Sequence, residues 1–276
     1  MKHAAVHSEG IETFADRYRR EGFAFPFPVL TPEETGHFLA EVEELERRYG
    51  GRLTSLNAVQ PHLFFPWAFE LATHDRVLDV VESVLGPDIL VHSTSVFCKY
   101  PHDPGYIPFH QDGHYWRLEK AMLVSAWIAL TESSEANGAL QVLPGSQTER
   151  LPHKYVPVED HLLASGLTLD MPVRRSDVVT LALQPGSMSL HHVNLVHGSQ
   201  PNRSDSKRLG IAVRYISPAD KQQPLHHRAV LARGQDRYGH YELLAQKPSG
   251  NIDSALAEQN RFREWMLSHR SQYLKG

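Results

Sequence analysis

Two histidines, an aspartate and two arginines carry the strongest chemical signal in the chain. The segment Phe109-His110-Gln111-Asp112-Gly113-His114-Tyr115-Trp116 contains a His-x-Asp pair. Alternate residues of an extended chain share a face, so His110 and Asp112 can offer an imidazole nitrogen and a carboxylate oxygen to one divalent metal. The pattern alone is cheap: with 18 histidines and 32 acidic residues among 276, about two such His-x-acid pairs arise from composition. Three are present, His7/Glu9, His110/Asp112 and His240/Glu242. Context selects the middle one, because it follows a β-like run and a further histidine, His197, ends a later predicted strand that could lie beside it. Two histidines and one carboxylate leave three coordination positions free, which suits oxygen activation at Fe(II). A closed four-ligand zinc site fits less well, since such sites favour thiolates and the only cysteine, Cys98, is not near these residues. His114 stands four residues after His110, a helical metal spacing, but Gly113 and the strand context argue against a helix there.

A second signal follows His197. After a polar turn at 200–207 comes Arg208-Leu209-Gly210-Ile211-Ala212-Val213-Arg214-Tyr215. By period two, Arg208, Gly210, Ala212 and Arg214 share one face. The residues between the arginines on that face are small, leaving room for a ligand, and a guanidinium grips a carboxylate through a planar fork. An exposed edge strand would carry the same two arginines without any such role.

These residues need a scaffold, and the sequence predicts one. Ile11, Phe14, Ala15 and Tyr18 repeat at helical spacing and stop at Gly22. Thr31-Pro32-Glu33-Glu34 has a capping threonine, a proline at the first helical position and a glutamate three after the cap. Phe38, Leu39, Val42 and Leu45 form the stripe of that helix, which Gly50-Gly51 ends. A third helix carries Val77, Leu78, Val81 and Leu85 before Gly86-Pro87. From residue 89 onward the texture becomes short β-like runs, at 89–100, 122–131, 140–143, 178–183, 187–196 and 209–217. Asn137-Gly138 between two of them predicts a tight hairpin. The long polar stretches 155–168 and 218–241 are candidate lids, and Leu256, Phe262, Trp265 and Met266 predict a last helix. Short strands without alternating helices predict a mainly β sandwich or jelly roll. One domain over 1–276 is expected, with helical decoration at about 9–86, the β core at about 88–217, and a lid with the C-terminal helix at about 218–276.

Composition bounds the function. With 41% hydrophobic and 22% charged residues the chain is globular, and its net charge of −4 lacks the footprint of a general nucleic-acid binder. A lone cysteine forms no intrachain disulfide. The N-terminus shows no apolar leader segment, and the longest apolar stretch, 121–130, falls short of the roughly 18 residues of a spanning helix. The expectation is a cytoplasmic protein acting on a small molecule, without nucleic acid or membrane; oligomeric state is not readable.

His110-Gln111-Asp112, His197 and Arg208 eleven positions later, together with Trp127 and the segment Asn137-Gly138-Ala139-Leu140-Gln141-Val142-Leu143-Pro144-Gly145-Ser146, resemble the phytanoyl-CoA hydroxylase family of Fe(II)/2-oxoglutarate dioxygenases, which includes ectoine hydroxylase. The resemblance runs from about Phe14 to Tyr215. It implies a double-stranded β-helix (jelly roll, cupin-like) with flanking N-terminal and C-terminal helices, iron held by His110, Asp112 and His197, and 2-oxoglutarate with O2 as cosubstrates. By position it implies that Arg208 pairs with the distal carboxylate of 2-oxoglutarate and that Ser199 hydrogen-bonds it. Trp127 then lines the cosubstrate pocket, and Lys99 lies where relatives often place a polar cosubstrate contact. Trp116 matches a tryptophan of the ectoine hydroxylase pattern. Gln147 departs from the histidine many relatives carry after Pro-Gly-Ser. The implied reaction couples decarboxylation of 2-oxoglutarate to succinate and CO2 with hydroxylation of a substrate; halogenating relatives lack the carboxylate ligand that Asp112 supplies here.

For the substrate, Arg214 is a second inward cation, and Tyr106, His114, Tyr115 and His191 are further candidates. His191 is in phase with Val193, Leu195 and His197 and is expected to face the same way. No acyl-chain tunnel or carrier docking patch is recognisable, so the expectation is a small polar metabolite, an amino acid, phosphonate or natural-product intermediate. Two other readings stand beside it: a cupin-like zinc or manganese isomerase or lyase, which would not need Arg208, and a non-catalytic small-molecule-binding jelly roll.

Overall fold

A computed structural model describes residues 13–54, 58–156, 162, 166–222 and 228–268. Helix α1 (Phe14–Glu21) begins at a Thr13 capping box and stops at Gly22, whose φ of 82° suits glycine. Strand β1 (Phe23–Pro28) follows, then α2 (Pro32–Arg48), where Thr31 and Glu34 cap each other as the sequence predicts. Next come α3 (Pro66–Ala72), α4 (Asp75–Leu85), β2 (Ile89–Lys99) and β3 (Ile107–His110). A single helical turn, α5 (Gly113–Trp116), leads to β4 (Leu123–Ala129) and β5 (Leu140–Val142). Strands β6 (His153–Tyr155), β7 (Leu167–Leu169), β8 (Val179–Leu181), β9 (Ser187–His192), β10 (His197–Ser199) and β11 (Arg208–Ile216) complete the core. Strands β12 (Arg228–Arg233) and β13 (Glu242–Leu243) and helix α6 (Ile252–Ser268) close the described chain.

The strands form a seven-stranded sheet in the order β1-β9-β4-β11-β2-β12-β13, a four-stranded sheet β3-β10-β5-β8, and the pair β6-β7. This is the double-stranded β-helix, mainly β with flanking helices. The large sheet has two different faces. Val124, Ala126 and Ile128 of β4, with Leu209, Ile211, Val213 and Tyr215 of β11, join one core with residues of α1, α2, α3 and α4 such as Tyr18, Phe38, Leu71 and Val81. Each such side chain contributes on the order of 1.5–3 kcal/mol by leaving water. The alternate residues, among them Arg208, Arg214, Ser125 and Trp127, point the other way and are buried by the small sheet.

The structure corrects several sequence expectations. Residues 187–196 are not one strand: β9 ends at His192, the Leu195 amide donates to the His192 carbonyl (2.9 Å) in a turn, and β10 starts at His197 in the other sheet. His197 therefore begins a strand, and period two does not connect it to His191. Asn137-Gly138 makes no hairpin, because β4 pairs with β9 and β11 while β5 pairs with β8 and β10. Asn137 instead braces the turn through its side chain, accepting from the Ser134 amide and donating to the Glu132 carbonyl. A helix does follow the His-x-Asp pair, since Gly113 lets one turn dock on the 193–194 turn: a Cβ there would sit 2.0 Å from Asn194 Oδ1. Strands also form outside the expected core limits. β1 lies within the expected helical region, and β12, within one expected lid, pairs with β2. Most of the other lid, 155–168, lies outside the described residues.

Candidate metal and oxyanion site

His110 closes β3, and His197 opens β10. These neighbouring strands are antiparallel and the two histidines are register partners, so residues far apart in sequence face each other with ring centroids 4.3 Å apart. Asp112 is not on an extended strand, as the spacing suggested, but at the helical first position before α5 (φ −58°, ψ −34°), which turns its carboxylate back to His110. Its Oδ1 lies 3.3 Å from His110 Nε2. Ligand atoms of His110, Asp112 and His197 all lie within 4.8 Å of one another, the one such cluster among the described residues.

The imidazoles are pre-set as ligands. His110 Nδ1 meets the Pro108 carbonyl and His197 Nδ1 the Leu195 carbonyl, each at 2.9 Å. A carbonyl only accepts, so Nδ1 carries the proton and Nε2 keeps its lone pair for a metal. Burial, then the neighbouring His110, lowers His197 to about 4, so it is neutral at ordinary pH. Burial alone would raise the Asp112 carboxyl, but Arg214 and the two histidines hold it well below the usual range. The donor set therefore fits a divalent ion with open positions.

Gln111, between the ligands, is a feature that sequence reasoning passed over. Its amide nitrogen donates to the carbonyls of Asn194 (2.6 Å), Glu149 (2.9 Å) and Ser146 (3.2 Å), and its Oε1 accepts from the Leu151 amide at 2.8 Å. It fastens the ligand loop to two others, the β5–β6 connection and the β9–β10 turn. Only its place inside the His-x-Asp pair could have drawn notice to it.

One end of the pocket is cationic. Arg208 (2% exposed) and Lys99 (1%) are cross-strand partners on β11 and β2. The Arg208 guanidinium lies over Trp127 at 4.6 Å and donates through Nη1 to the Gly138 carbonyl, while its buried Nε has no partner among the described residues. Lys99 Nζ donates to Ser199 Oγ at 2.7 Å and to the Gln200 carbonyl. Two glycines make this end possible. A Cβ at Gly210 would come 2.3 Å from the Trp127 indole, and one at Gly138 would come 2.3 Å from the Gln200 carbonyl and 3.0 Å from Lys99 Nζ. Burial, and then the adjacent Arg208, lowers Lys99 to about 6; burial lowers Arg208 to about 10. Two buried basic side chains that bond no carboxylate among the described residues, one of them with an orphaned Nε donor, fit the distal carboxylate of 2-oxoglutarate, whose charge would favour protonated Lys99.

The other end holds Arg214. Its Nε lies 3.4 Å from Asp112 Oδ2, its Nη1 is 3.1 Å from Ser95 Oγ, and the guanidinium sits over Trp116 at 5.2 Å. His191, although on the other sheet from His197, reaches the same pocket with its ring 4.6 Å from that of His197. His114 does not join: it is exposed and pairs with the His153 ring at 4.7 Å. Tyr106 is not among the lining residues, which include Phe97, Ile107 and Leu140, and the Tyr115 side chain lies outside the described residues. Gln147 donates to the Arg19 and Arg20 carbonyls at the end of α1, away from the pocket. A larger groove, about 570 Å3, runs past Phe64, Phe262 and Trp265 and contains none of these groups.

Comparison with known proteins finds relatives of this chain in sequence and in structure. The model of the family described as phytanoyl-CoA dioxygenase (PhyH) matches residues 18–210. A probable alpha-ketoglutarate-dependent hypophosphite dioxygenase of Stutzerimonas stutzeri is 29% identical over 207 residues, 74% of this chain and 69% of that protein. An ectoine dioxygenase of Nocardia farcinica is 29% identical over 237 residues, 75% of this chain and 76% of its own. The solved structure of the non-heme monooxygenase ThoJ, in its apo form, superposes with a TM-score of 0.79 at 29% identity, covering 95% of this chain and 97% of that one.

Proposed function

We propose that this chain, which belongs to the phytanoyl-CoA dioxygenase (PhyH) family and is an Fe(II)/2-oxoglutarate-dependent oxygenase, hydroxylates a small polar metabolite bearing an anionic group, with release of succinate and CO2. Fe(II) is its metal, and 2-oxoglutarate and O2 are its cosubstrates. The isomerase or lyase and the non-catalytic binding protein give way to that membership.

One observation carries the assignment of residues: an open His110/Asp112/His197 cluster stands beside a buried pair of basic side chains that no carboxylate among the described residues bonds. His110, Asp112 and His197 hold the iron, with both Nδ1–H groups fixing the rings. Arg208, Lys99 and Ser199 receive the distal carboxylate of 2-oxoglutarate, and Trp127 holds the Arg208 guanidinium in plane. When bound, iron and 2-oxoglutarate supply the oxidation of the substrate by O2. The protein orients the cosubstrate, keeps Asp112 ionised through Arg214, and excludes water with Phe97, Ile107 and Leu140. Two relatives at 29% identity are named for hypophosphite and ectoine, both small and polar, which supports the substrate class. We further propose a single domain over 1–276 acting in the cytoplasm. Among the described residues Cys98 is free, and no helix is long and apolar enough to cross a membrane.

The test is anaerobic. Fe(II) followed by 2-oxoglutarate should give the weak visible charge-transfer band of the chelate, and His197→Ala should remove it. Iron-loaded, folded wild type without that band would refute the placement of the cofactors.

A further inference from the structure

We infer that Arg214, Ser125 and His191 form a subsite that grips the oxyanion of the substrate, opposite the end that takes 2-oxoglutarate. The inference rests on the oxygenase reading above and adds to it a specific place and chemistry for the substrate.

The subsite is a single rung of the large sheet. Arg214 on β11 is the register partner of Ser93 on β2 and of Ser125 on β4, and Ser125 is in turn the partner of His191 on β9. Directly paired residues project to one face, so Ser93, Arg214, Ser125 and His191 form a polar line across four strands, of which Arg214 and His191 line the pocket. The flanking residues Val124, Ala126, Val213 and Leu190 project into the helix-facing core and are all apolar. The polar flanking residues on that face, Thr94 and His192, have partners there, Thr94 bonding His62 and His192 meeting Tyr18.

Most of this line has no protein partner. Ser93 Oγ, Ser125 Oγ and His191 Nδ1 are buried and meet no hydrogen-bonding group among the described residues, and their residues are 6%, 1% and 3% exposed. Buried polar atoms left this way destabilise the ligand-free fold, and their presence in a row beside a guanidinium points to a ligand that completes them. Arg214 has capacity to spare: Asp112 meets only its Nε, at 3.4 Å, and Ser95 only Nη1. A guanidinium serving only to orient Asp112 would use its two-pronged fork.

Arg208 and Arg214 are six residues apart on one strand, with Cα atoms about 20 Å apart at the usual rise, so the two guanidinium groups enter the same pocket from different ends. With the metal ligands beside Arg214 and His191, an oxyanion on this rung places the rest of a compact molecule next to the iron. A carboxylate and a phosphorus oxyanion share this chemistry.

The experiment uses the full chain loaded with Mn(II) and saturating 2-oxoglutarate. The probes are methylphosphonate and acetate, with acetamide as the neutral comparator, read by paramagnetic relaxation of their 31P and 13C nuclei. At least one oxyanion should bind near the metal with acetamide at least tenfold weaker, and the tighter of the two identifies the source of the oxyanion. Arg214→Gln should weaken the probe tenfold or more, and Ser125→Ala and His191→Gln about threefold each, with 2-oxoglutarate affinity held within threefold in these last two variants. Arg214→Lys should recover part of the loss. Acetamide binding as well as the anions would overturn the subsite. So would an Arg214→Gln variant that loses Mn(II) as severely as the probe, which would make Arg214 a positioning residue for Asp112 alone. Wild type that fails to hold Mn(II) and 2-oxoglutarate together would instead bring down the oxygenase site itself.

Discussion

In the reading proposed above, the two ends of the pocket solve the same problem, holding an anion inside a protein, in opposite ways. At the Arg208 end most donors are tied to the protein, Lys99 to Ser199 and Gln200 and Arg208 to Gly138 and the face of Trp127, with Arg208 Nε left open. At the Arg214 end the charge leans weakly on Asp112 while neighbouring hydroxyl and imidazole groups have no partner among the described residues. A donor set locked before binding suits a cosubstrate that is the same in every turnover. A looser set is suited to being completed by the substrate. The metal ligands sit against the looser end, where Arg214 touches one of them.

Removing the centre common to both ends should have the largest effect. His197→Ala or Asp112→Ala deletes a ligand from the open cluster, and several kcal/mol of metal-derived stabilisation go with it. Succinate release should fall at least ~10³-fold, and turnover surviving near the wild-type rate would refute the ligand assignment. Arg208→Ala acts on one end alone. Truncating one partner of a buried, hydrogen-bonded charge costs about 2–5 kcal/mol, so the KM for 2-oxoglutarate should rise about 30-fold or more. If it did not rise, the comparison would collapse, because the carboxylate would then be held elsewhere, with Arg214 next in line.

Which parts were legible in the sequence follows from the same contrast. The capping boxes at Thr13 and Thr31, the Gly22 stop and the apolar stripes are local, so they could be read directly, at least for Thr31 and Gly22. His110, Asp112, His197 and Arg208 stood out because motif spacing carried them. What failed was non-local. The break at 193–196 is invisible in an apolar run whose composition suits a strand, because a turn on which Gly113 packs decides it. The Asn137-Gly138 pair predicted a turn but not its use, which is to present a carbonyl to Arg208 from a strand connection between two sheets. The polar row Ser93–Arg214–Ser125–His191 exists only in the register of four strands, and Ser125 gives no signal of its own.

Lys99 offers a test of the cationic end through stability. Its ammonium is lowered from 10.5 to about 6 by burial and by Arg208. Between those values the unfolded chain binds a proton that the folded chain does not, so stability rises with pH across this window. Below about pH 6 the folded protein carries the full penalty, of order a few kcal/mol. Lys99→Met should therefore raise the Tm of the ligand-free protein near pH 6, with the gain fading toward pH 10, while weakening 2-oxoglutarate about 10-fold or more. Saturating 2-oxoglutarate should close the stability gap by supplying the missing carboxylate. A Lys99→Met variant less stable than wild type without ligand would mean that the ammonium is already compensated within the protein.

Two serines make the smallest and sharpest comparison. Ser199 Oγ accepts from Lys99 Nζ at 2.7 Å, whereas Ser125 Oγ is buried with no partner among the described residues. Removing an oxygen that satisfies a buried donor leaves the donor short, so Ser199→Ala should cost about 1–3 kcal/mol in the ligand-free protein. Removing an oxygen that is itself unsatisfied relieves a penalty, so Ser125→Ala should be neutral or stabilising by about 1 kcal/mol. Denaturant melts without ligands, compared with melts in 2-oxoglutarate or in methylphosphonate, separate the two. 2-Oxoglutarate should enlarge the loss at Ser199→Ala, methylphosphonate should shift Ser125→Ala toward lower stability relative to wild type, and each should leave the other serine's difference unchanged. Losses of equal size and sign at both serines would show that the two ends are built alike, with solvent completing the Arg214 rung in place of a substrate.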